Sequence, residues 1–552
     1  MFSNSSLIAR TSTFQVNFHN YIGKHSLLFK ITSLVDLSNV IQEAYRGSRS
    51  ALNDACMFIQ PTPFECHMRC LFLCPLIVFL VTPFVFLYVL TGSKHETKQK
   101  QETLINPPDL FLISTYYYTK SLSLGDNALA LLMSIDFDEL DNSLKQIEVV
   151  AANRTNEIRI KASVQRVTPH DTCRLITAIS FTNILSNPTT ISLNIGDTDI
   201  EIPFKRISVS SPRRPVVHCI APLFASEQWQ TAIFALHTYR RFGSMMHLYS
   251  RSVVSPLYEL LRIYDLQGYA KIIPWPRLGM KFVPEADFNP NLNVEFRNQA
   301  AAQTDCLLQN KESVEFISFV DLDDILLPRA DSYFDEFNQL FLSMPEIAYA
   351  HYVKLNAHVN AASRGSEFDL REMFTSVRFE GKTETGKLVA KPNYINSTWI
   401  HWPSAVPKRM IGYDVPPSTN YILHLKHISF IKKNHPDATQ LDIDNGKIDE
   451  IIDDYRSFLN YPKTRKFVAR MPSSLVYFYA IDKCFHDTFY KYHESGRQNV
   501  MRCPGPERCQ LPNYSEGCWN ALAEFDSTQG GLQFNLHFPV STNFERQSAC
   551  IV

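Results

Sequence analysis

The chain has 552 residues, of which 45% are hydrophobic, so it can bury a large core and is long enough for more than one domain. Its 54 basic and 55 acidic residues give a formal net charge of -1, without a basic excess. That balance excludes a protein that binds nucleic acid through a positively charged surface.

One apolar segment near the amino terminus contains no charged residue. It spans residues 71–91, and as an α-helix it would be about 31 Å long, close to the thickness of a bilayer core. The sequence therefore predicts a single transmembrane helix at 71–91. The residues before it, 1–70, are expected to be a cytosolic tail, and the polar residues after it, 92–109, a stem.

Two signals conflict about the side of the membrane on which the larger part of the chain lies. Lysines close behind the apolar segment outnumber the basic residues close in front of it, which favours a cytosolic carboxyl terminus. Eight cysteines and three N-glycosylation sequons behind the segment favour an oxidising lumen instead. The sequons begin at Asn153, Asn396 and Asn513. We expect a luminal catalytic region.

Two different patterns follow the stem. Residues 110–212 alternate apolar and polar positions between turn residues, for example at 191–195 and 200–204, which predicts a small β-rich module. Residues 213–470 instead alternate strand-like and helix-like segments, which predicts an α/β domain with a mostly parallel, Rossmann-type sheet and flanking helices. The predicted strands are 216–221, 246–249, 270–273 and 316–320, and the predicted helices are 227–242, 256–266 and 296–308.

Three carboxylates follow the last of these strands directly. They are Asp321, Asp323 and Asp324, and the strand before them is apolar enough to be buried on both faces. Open α/β sheets bind ligands at the carboxyl ends of their strands, and an Asp-x-Asp pair can share one hard cation such as Mn²⁺ or Mg²⁺. The alternative interpretation is an acidic loop that caps the next helix.

The carboxyl-terminal part, 471–552, contains a cluster of cysteines in a stretch with Pro and Gly. Its members Cys503, Cys509 and Cys518 do not form a Cys-x-x-Cys pair, so they indicate a loop closed by disulfides rather than a zinc site. We interpret 471–552 as a cysteine-containing extension of the α/β domain.

Several short motifs, taken in chain order, resemble glycosyltransferase family 92 of the nematode type. They are VHCIAPLF at 217–224, HTYRRFG at 237–243, HLY at 247–249, YDLQG at 264–268, IPW at 273–275, the helix with Gln299 and Asp305-Cys306-Leu307, FVDLDD at 319–324, GKLVAKP at 386–392, IH at 400–401 and HLK at 424–426. The resemblance covers roughly residues 215–430.

The resemblance implies a GT-A-fold, type II Golgi membrane enzyme with a luminal catalytic region. Such an enzyme would move galactose from UDP-galactose to a glycan or glycoprotein acceptor and invert the anomeric centre. The implied ligands of Mn²⁺ (or Mg²⁺) are Asp321, Asp323 and His424. The implied donor-binding residues are Asp305, Lys391 and Lys426. Lys391 and Lys426 stand where the family more often has arginine, so the donor contact cannot be bidentate.

An inverting transfer needs a general base near the acceptor hydroxyl. Asp369, in the loop-like stretch after the metal strand, is the candidate, although acids at this place can equally decorate a helix amino terminus. Trp402, beside His401, is the candidate aromatic residue on the acceptor side.

Three other functions stay open from the sequence. A haloacid-dehalogenase-like phosphatase also begins from a strand that ends in Asp-x-Asp, but its turn residues differ from those found here. A non-catalytic, single-span membrane binding protein would use the β-rich and cysteine-containing parts as binding modules. An inactive family member would keep the fold without the transfer.

Overall fold

The computed structural model describes residues 108–552 with short gaps, together with two strands nearer the amino terminus. The gaps are 210–211, 434, 436–437, 441–443, 498–501, 513–515 and 529–533. The chain divides into two units, Met1–Ile105 and Asn106–Val552. In the first unit, β1 (Ser12–Gln15) pairs antiparallel with β2 (Leu28–Ile31). The predicted transmembrane segment 71–91 lies outside the described residues, and the helices of the described part are all too short or too polar to cross a membrane.

The second unit begins with a run of strands joined by short turns. Their bounds are β3 (Asp109–Ser121), β4 (Gly125–Asp136), β5 (Gln146–Ala152), β6 (Glu157–Arg166), β7 (Leu175–Asn183), β8 (Thr190–Ile195), β9 (Thr198–Glu201) and β10 (Lys205–Ile207). Neighbours pair antiparallel in the order β3-β4-β7-β6-β5-β8-β9, and β10 adds to β3 in parallel. We call this sheet the amino-terminal sheet.

The chain then alternates between strands and helices. The strands are β11 (Arg214–Leu223), β12 (Ser244–Ser250), β13 (Ser252–Val254), β14 (Ala270–Pro274), β15 (Val314–Val320), β16 (Asp324–Leu326), β17 (Ile347–Asn360), β18 (Arg378–Ala390), β19 (Ile411–Val415), β20 (Ile422–Ser429) and β21 (Thr439–Gln440). The helices are α1 (Trp229–Arg241), α2 (Ser255–Leu266), α3 (Gln299–Asn310), α4 (Tyr333–Ser343), α5 (Leu370–Thr375), α6 (Asn445–Leu459) and α7 (Thr464–Val468).

The sheet formed by these strands is mixed, so the predicted mostly parallel Rossmann-type sheet is wrong. Its order is β14-β12-β11-β15-β18-β17-β20-β16, with β19 and β21 added at β17 and β18. The first four strands are parallel, as the strand–helix alternation indicated. Beyond β15 the direction changes, because β18 is antiparallel to both β15 and β17. The short α5 between β17 and β18 does not form the crossover that a parallel connection requires. We call this sheet the central sheet.

The carboxyl-terminal part returns to the amino-terminal sheet. It contains α8 (Tyr477–Phe485), a π-helical turn (His486–Tyr490), α9 (Lys491–Glu494), β22 (Cys518–Thr528) and β23 (Asn535–Gln547). β23 lies beside β3, and β22 pairs with β13, which comes from the middle of the chain. Both ends of the second unit therefore contribute strands to one sheet.

Helix α3 lies in the core that the two sheets share. Its first turns carry the small residues Ala300, Ala301 and Ala302, which are at most 4% exposed and pack in one cluster with side chains of β3, β4, β11 and β15. A helix with small apolar side chains on several faces can be buried on all sides, because neighbouring elements can approach it closely. This helix connects the amino-terminal sheet to the central sheet.

Four disulfides pair all eight cysteines behind residue 91. They are Cys173–Cys503, Cys219–Cys306, Cys484–Cys509 and Cys518–Cys550. Cys219–Cys306 ties β11 to α3, and Cys173–Cys503 ties the amino-terminal sheet to the carboxyl-terminal part across 330 residues. The carboxyl-terminal part is therefore covalently held against the rest of the unit.

We expect Gly386→Ala to destabilise the protein, because a methyl group at residue 386 would lie 1.7 Å from the backbone carbonyl oxygen of Tyr352 on β17. The strands β17 and β18 would have to separate there, at a cost of about 1–3 kcal/mol. Thermal and urea unfolding measure the loss. Gly446→Ala is the matched control, because its nearest neighbour is a side-chain oxygen of Asp444 at 3.3 Å. Equal stability of the two variants would contradict the predicted clash.

Candidate metal and anion site

The three aspartates form a tight turn between β15 and β16. The backbone N–H of Asp324 donates to the carbonyl oxygen of Asp321 at 3.2 Å, and the N–H of Asp321 donates to Oδ2 of Asp324 at 3.0 Å. Asp324 is fully buried. Because the apolar strand β15 ends in the core, the turn that follows it starts inside the protein, and its carboxylates are held in fixed positions.

Strand β20 brings a histidine to this turn. Its pairing with β16 places His424 opposite Asp324, and Nε2 of His424 lies 3.4 Å from Oδ2 of Asp323. One ligand atom from each of Asp323, Asp324 and His424 lies within 4.8 Å of the other two. Two carboxylates and an imidazole suit Mn²⁺, which accepts oxygen and nitrogen ligands. The residues of the cluster therefore fit a divalent cation.

Asp321 lies beside this cluster and faces two buried lysines. Its Oδ2 is 3.0 Å from Nζ of Lys387 and 3.3 Å from Nζ of Lys354, while Gln299 donates to Oδ1 at 3.1 Å. Lys354 also lies 2.8 Å from Oδ1 of Asp324. The structure thus groups Asp324, rather than Asp321, with Asp323 and His424.

Burial and neighbouring charges together determine how the pKa values of the three aspartates shift. Burial alone would raise the pKa of Asp321, but Lys387 and Lys354 outweigh it and hold that pKa well below the ordinary value. Burial acts to raise the pKa of Asp323 too, but the hydrogen bond and charge of His424 together with the charge of Lys354 outweigh it and lower that pKa. Asp324 differs: burial raises its pKa despite the attraction of Lys354. A divalent cation bound beside Asp324 would stabilise its ionised form.

The two lysines were missed by the sequence analysis. Lys354 and Lys387 are 5% and 1% exposed; Lys354 lies in the mostly buried strand β17, and Lys387 lies in the buried last part of β18. A lysine is almost never buried without a carboxylate partner, so a lysine inside a strand-like apolar run was a usable signal. The pKa of Lys354 is raised, because Asp324 and Asp321 outweigh the effect of burial. The site therefore keeps a permanent positive charge next to its carboxylates.

Lys391 lies at the other end of β15. Its ammonium is 5.7 Å from the ring centre of Phe316, which is five residues before Asp321, or about 16 Å along a strand. Lys387, four residues earlier on β18, lies beside Asp321 instead. Lys426 lies at the exposed edge of the site and pairs with Glu384, whose other oxygen is 3.5 Å from Nδ1 of His424.

Asp305 and Asp369 occupy structural positions. The carboxylate of Asp305 is buried in α3 and accepts hydrogen bonds from the hydroxyls of Tyr116, at 2.8 Å, and Tyr249, at 2.7 Å. Asp369 is exposed and caps α5, where it accepts from the backbone N–H groups of Arg371 and Glu372. Capping is the alternative that the sequence left open for Asp369.

A further cation, Arg297, lies in a strained segment in front of α3. Phe296, Arg297 and Asn298 have φ values of 42°, 60° and 60°, a left-handed conformation that costs non-glycine residues about 1–2 kcal/mol each. Nε of Arg297 donates to the carbonyl oxygen of Pro222 at 3.1 Å. Burial lowers its pKa to about 10, so it stays charged at neutral pH and is close enough to Asp321 to interact with it.

His401 completes this side of the site. Its Nδ1 is 2.9 Å from the carbonyl oxygen of Gly386, and burial together with the charge of Lys387 lowers its pKa to about 3. It is therefore neutral. Trp402, beside it, is 41% exposed and stacks on His351 at 5.6 Å between ring centres. An open aromatic ring of this kind suits a sugar face.

We expect Asp305→Asn to lower the melting temperature and leave Mn²⁺ binding unchanged. Asparagine cannot accept from both tyrosine hydroxyls as a carboxylate does, and a buried donor left unpaired costs about 1–3 kcal/mol. Thermal unfolding and calorimetric Mn²⁺ titration measure the two effects. Asp265→Asn, on the exposed end of α2, is the control. Loss of Mn²⁺ binding at full stability would instead place Asp305 in the ligand site.

We expect Mn²⁺ to bind more weakly at pH 6 than at pH 8. Burial lowers the pKa of His424, but the hydrogen bond and charge of Asp323 outweigh it and raise that pKa above 6.5. A protonated imidazole cannot bind a metal, so affinity should rise with pH up to that pKa, about tenfold for each pH unit. Calorimetry with His424→Gln should show a flat profile. A flat profile for the wild type would contradict a role of His424 as ligand.

The central sheet lies within the part of the chain that matches a known protein family. A family model for glycosyltransferase family 92 matches residues 214–459, from the first strand of the central sheet to the end of α6. The chain is 41% identical to glycosyltransferase family 92 protein F13G3.3 of Caenorhabditis elegans over 461 residues, which cover 81% of this chain and 91% of that protein.

Two further proteins of the same organism extend the comparison. Protein C33H5.2 is 35% identical, with 74% of this chain and 84% of that protein covered, and protein ZK381.2 is 30% identical, with 86% and 98% covered. Both are glycosyltransferase family 92 proteins by name. These matches confirm the resemblance seen in the sequence motifs. The chain therefore belongs to glycosyltransferase family 92 and is a glycosyltransferase.

Proposed function

We propose that this glycosyltransferase transfers galactose from UDP-galactose to a glycan acceptor, with inversion and with Mn²⁺ held by Asp323, Asp324 and His424. The observation that carries the metal dependence is the convergence of these three ligand atoms within 4.8 Å. The choice of UDP-galactose and of inversion rests on the resemblance of the sequence motifs to the family. For the acceptor we propose only its class, a glycan.

The positive charges around the cluster support a nucleoside diphosphate as the leaving group. Lys354 and Lys387 are buried beside Asp321, and Arg297 approaches the same carboxylate from the segment before α3. A departing diphosphate develops negative charge, and preorganised cations stabilise it without reorganisation. Mn²⁺ bound to the cluster would neutralise the same charge.

Asp321 has a positioning role in this proposal. It binds both lysines and accepts from Gln299, so it aligns β15, β17, β18 and α3 around one carboxylate. Lys354 remains charged, because the charges of Asp324 and Asp321 beside it raise its pKa. Asp321 therefore contributes to the charge of the donor site without belonging to the group of three ligands.

Four disulfides support a luminal location in the secretory pathway, and we propose the Golgi lumen. Disulfides persist in oxidising compartments and are rare in the cytosol. All eight cysteines behind residue 91 are paired, and three of the four bonds involve the carboxyl-terminal part. Asn153, the first sequon residue, lies in the partly exposed turn between β5 and β6, where a glycan can be accommodated.

We expect Asp323→Asn to reduce galactose transfer from UDP-galactose at least about a hundredfold while the melting temperature is kept. The amide has no negative charge for the metal and cannot keep the same bond to His424. Release of UDP with Mn²⁺ present measures the turnover, and calorimetry measures UDP binding with and without Mn²⁺.

Asp453→Asn is the matched control, because Asp453 is exposed on α6 and pairs only with Arg456 among the ion pairs of the described residues. Its turnover should equal that of the wild type. Undiminished turnover of Asp323→Asn, or UDP binding of the wild type that is the same with a chelator as with Mn²⁺, would refute the proposed metal site. Transfer from another nucleotide sugar only would refute the proposed donor.

A further inference from the structure

We propose that Nε2 of His401 is the general base that takes the proton from the acceptor hydroxyl as galactose is transferred. This inference rests on the proposed function, because an inverting transfer needs such a base beside the donor. Asp369, the candidate from the sequence, does not supply it, since its carboxylate caps α5. His401 follows β18 in the chain and lies in the region matched by the family model, 214–459.

Strand pairing places His401 beside the turn that holds the three aspartates. β15 and β18 pair antiparallel, and their last paired residues in this direction are Phe319 and Leu388. Asp321 and Gly386 each lie two residues beyond that pair, so the two strands bring them next to each other, about one strand spacing apart. Nδ1 of His401 is 2.9 Å from the carbonyl oxygen of Gly386. The imidazole is therefore fixed at the end of β15.

The hydrogen bond to Gly386 decides which ring nitrogen carries the proton. A carbonyl oxygen only accepts, so Nδ1 of His401 must donate. A neutral imidazole has one N–H, and Nε2 is left with the lone pair. Nε2 makes no hydrogen bond with a described residue and is accessible to solvent. A hydroxyl group can therefore reach the nitrogen that accepts a proton.

The charged groups around His401 keep its ring neutral before the reaction. Burial and the positive charges of Lys387 and Lys354 lower its pKa to about 3. The carbonyl oxygen of Gly386 and the charge of Asp321 oppose this shift only in part. A pKa in this range resembles that of a carboxylate, about 4, and carboxylates act as general bases in sugar chemistry. The same lysines then favour release of the proton to water.

Nε2 takes the one proton that galactose transfer releases. The acceptor oxygen forms a bond to the anomeric carbon, and the bond from that carbon to the diphosphate oxygen breaks with its electron pair on UDP. The acceptor hydroxyl becomes strongly acidic as its oxygen bonds to carbon, so its proton passes to Nε2 of His401. The imidazolium gives this proton to water, which returns the enzyme to its starting state.

An exposed aromatic ring lies beside His401 and offers an acceptor sugar a place to stack. The ring of Trp402 is 41% exposed, and its centre is 5.6 Å from that of His401. Trp399 lies nearly parallel to Trp402 at 6.2 Å, and its Nε1–H donates to Glu295 at 3.1 Å. A sugar stacked on Trp402 has its hydroxyl groups next to the ring of His401.

Other acid–base groups on this side of the site are engaged. Glu384 forms an ion pair with Lys426. Nδ1 of His351 lies 3.2 Å from a carboxylate oxygen of Asp414, and its Nε2 is buried. Neither group can offer an acceptor hydroxyl an open lone pair without first breaking a contact. His401, in contrast, has an accessible lone pair in a fixed direction.

The experiment compares His401→Asn, His401→Gln and His486→Asn with the wild type. The amide of asparagine can keep the donation to Gly386 but cannot take a proton, and glutamine removes the base as well. We expect both His401 variants to lower kcat at least about a hundredfold. The acceptor KM, the melting temperature and calorimetric UDP binding with Mn²⁺ should be unchanged. His486→Asn is the matched control and should keep the wild-type kcat, because the side chain of His486 is 60% exposed on the π-helical turn.

The turnover is measured as release of UDP from UDP-galactose with Mn²⁺. The acceptors are the p-nitrophenyl glycosides of galactose, N-acetylglucosamine, mannose and fucose, and also water, whose proton needs the same base. Wild-type kcat in either His401 variant, or a loss of UDP binding in both, would overturn the assignment of the base. Failure of the wild type to bind UDP with Mn²⁺, or to release UDP from UDP-galactose, would instead reject the proposed function itself.

Discussion

The burial of α3 between the two sheets is the constraint on which the rest of the second unit depends. Its alanines let the amino-terminal and central sheets approach it closely, and Asp305 accepts from one tyrosine of each sheet. The disulfide Cys219–Cys306 fixes the same helix to β11. The left-handed segment that begins the helix is held by these contacts, since unsupported residues would not keep that conformation. Arg297 and Gln299 reach Asp321 as a result.

The charges at the end of β15 form one balanced group. Three aspartates in one turn repel one another, and the interior does not solvate them, so buried cations must compensate. Lys354 supplies that compensation from β17 and Lys387 from β18, and β18 runs against the direction expected of a Rossmann-type sheet. The antiparallel β18 is therefore a requirement of the site, because it brings Lys387 to Asp321.

The carboxyl-terminal part completes the unit in two ways. Its strands β22 and β23 close the amino-terminal sheet next to β3 and β13. Its helical turn contacts the segment in front of α3, where Phe296 donates its N–H to Pro504. Disulfides offset the entropy of holding so long a segment in place, since each one restricts the unfolded chain. The site thus combines residues that are more than a hundred positions apart.

The sequence by itself determined the family, the β-rich start, the parallel strands from β11 to β15 and the aspartates at the end of β15. These follow from local patterns, namely side-chain alternation, strand–helix alternation and motif order. It also named Asp323 and His424, which the fold brings together. Only the tertiary structure decided that β18 turns back, that Lys387 rather than Lys391 faces Asp321, and that Asp305 bonds two tyrosines. Those outcomes depend on which strands pair and in what register, and such long-range pairing leaves no periodic signal in the chain.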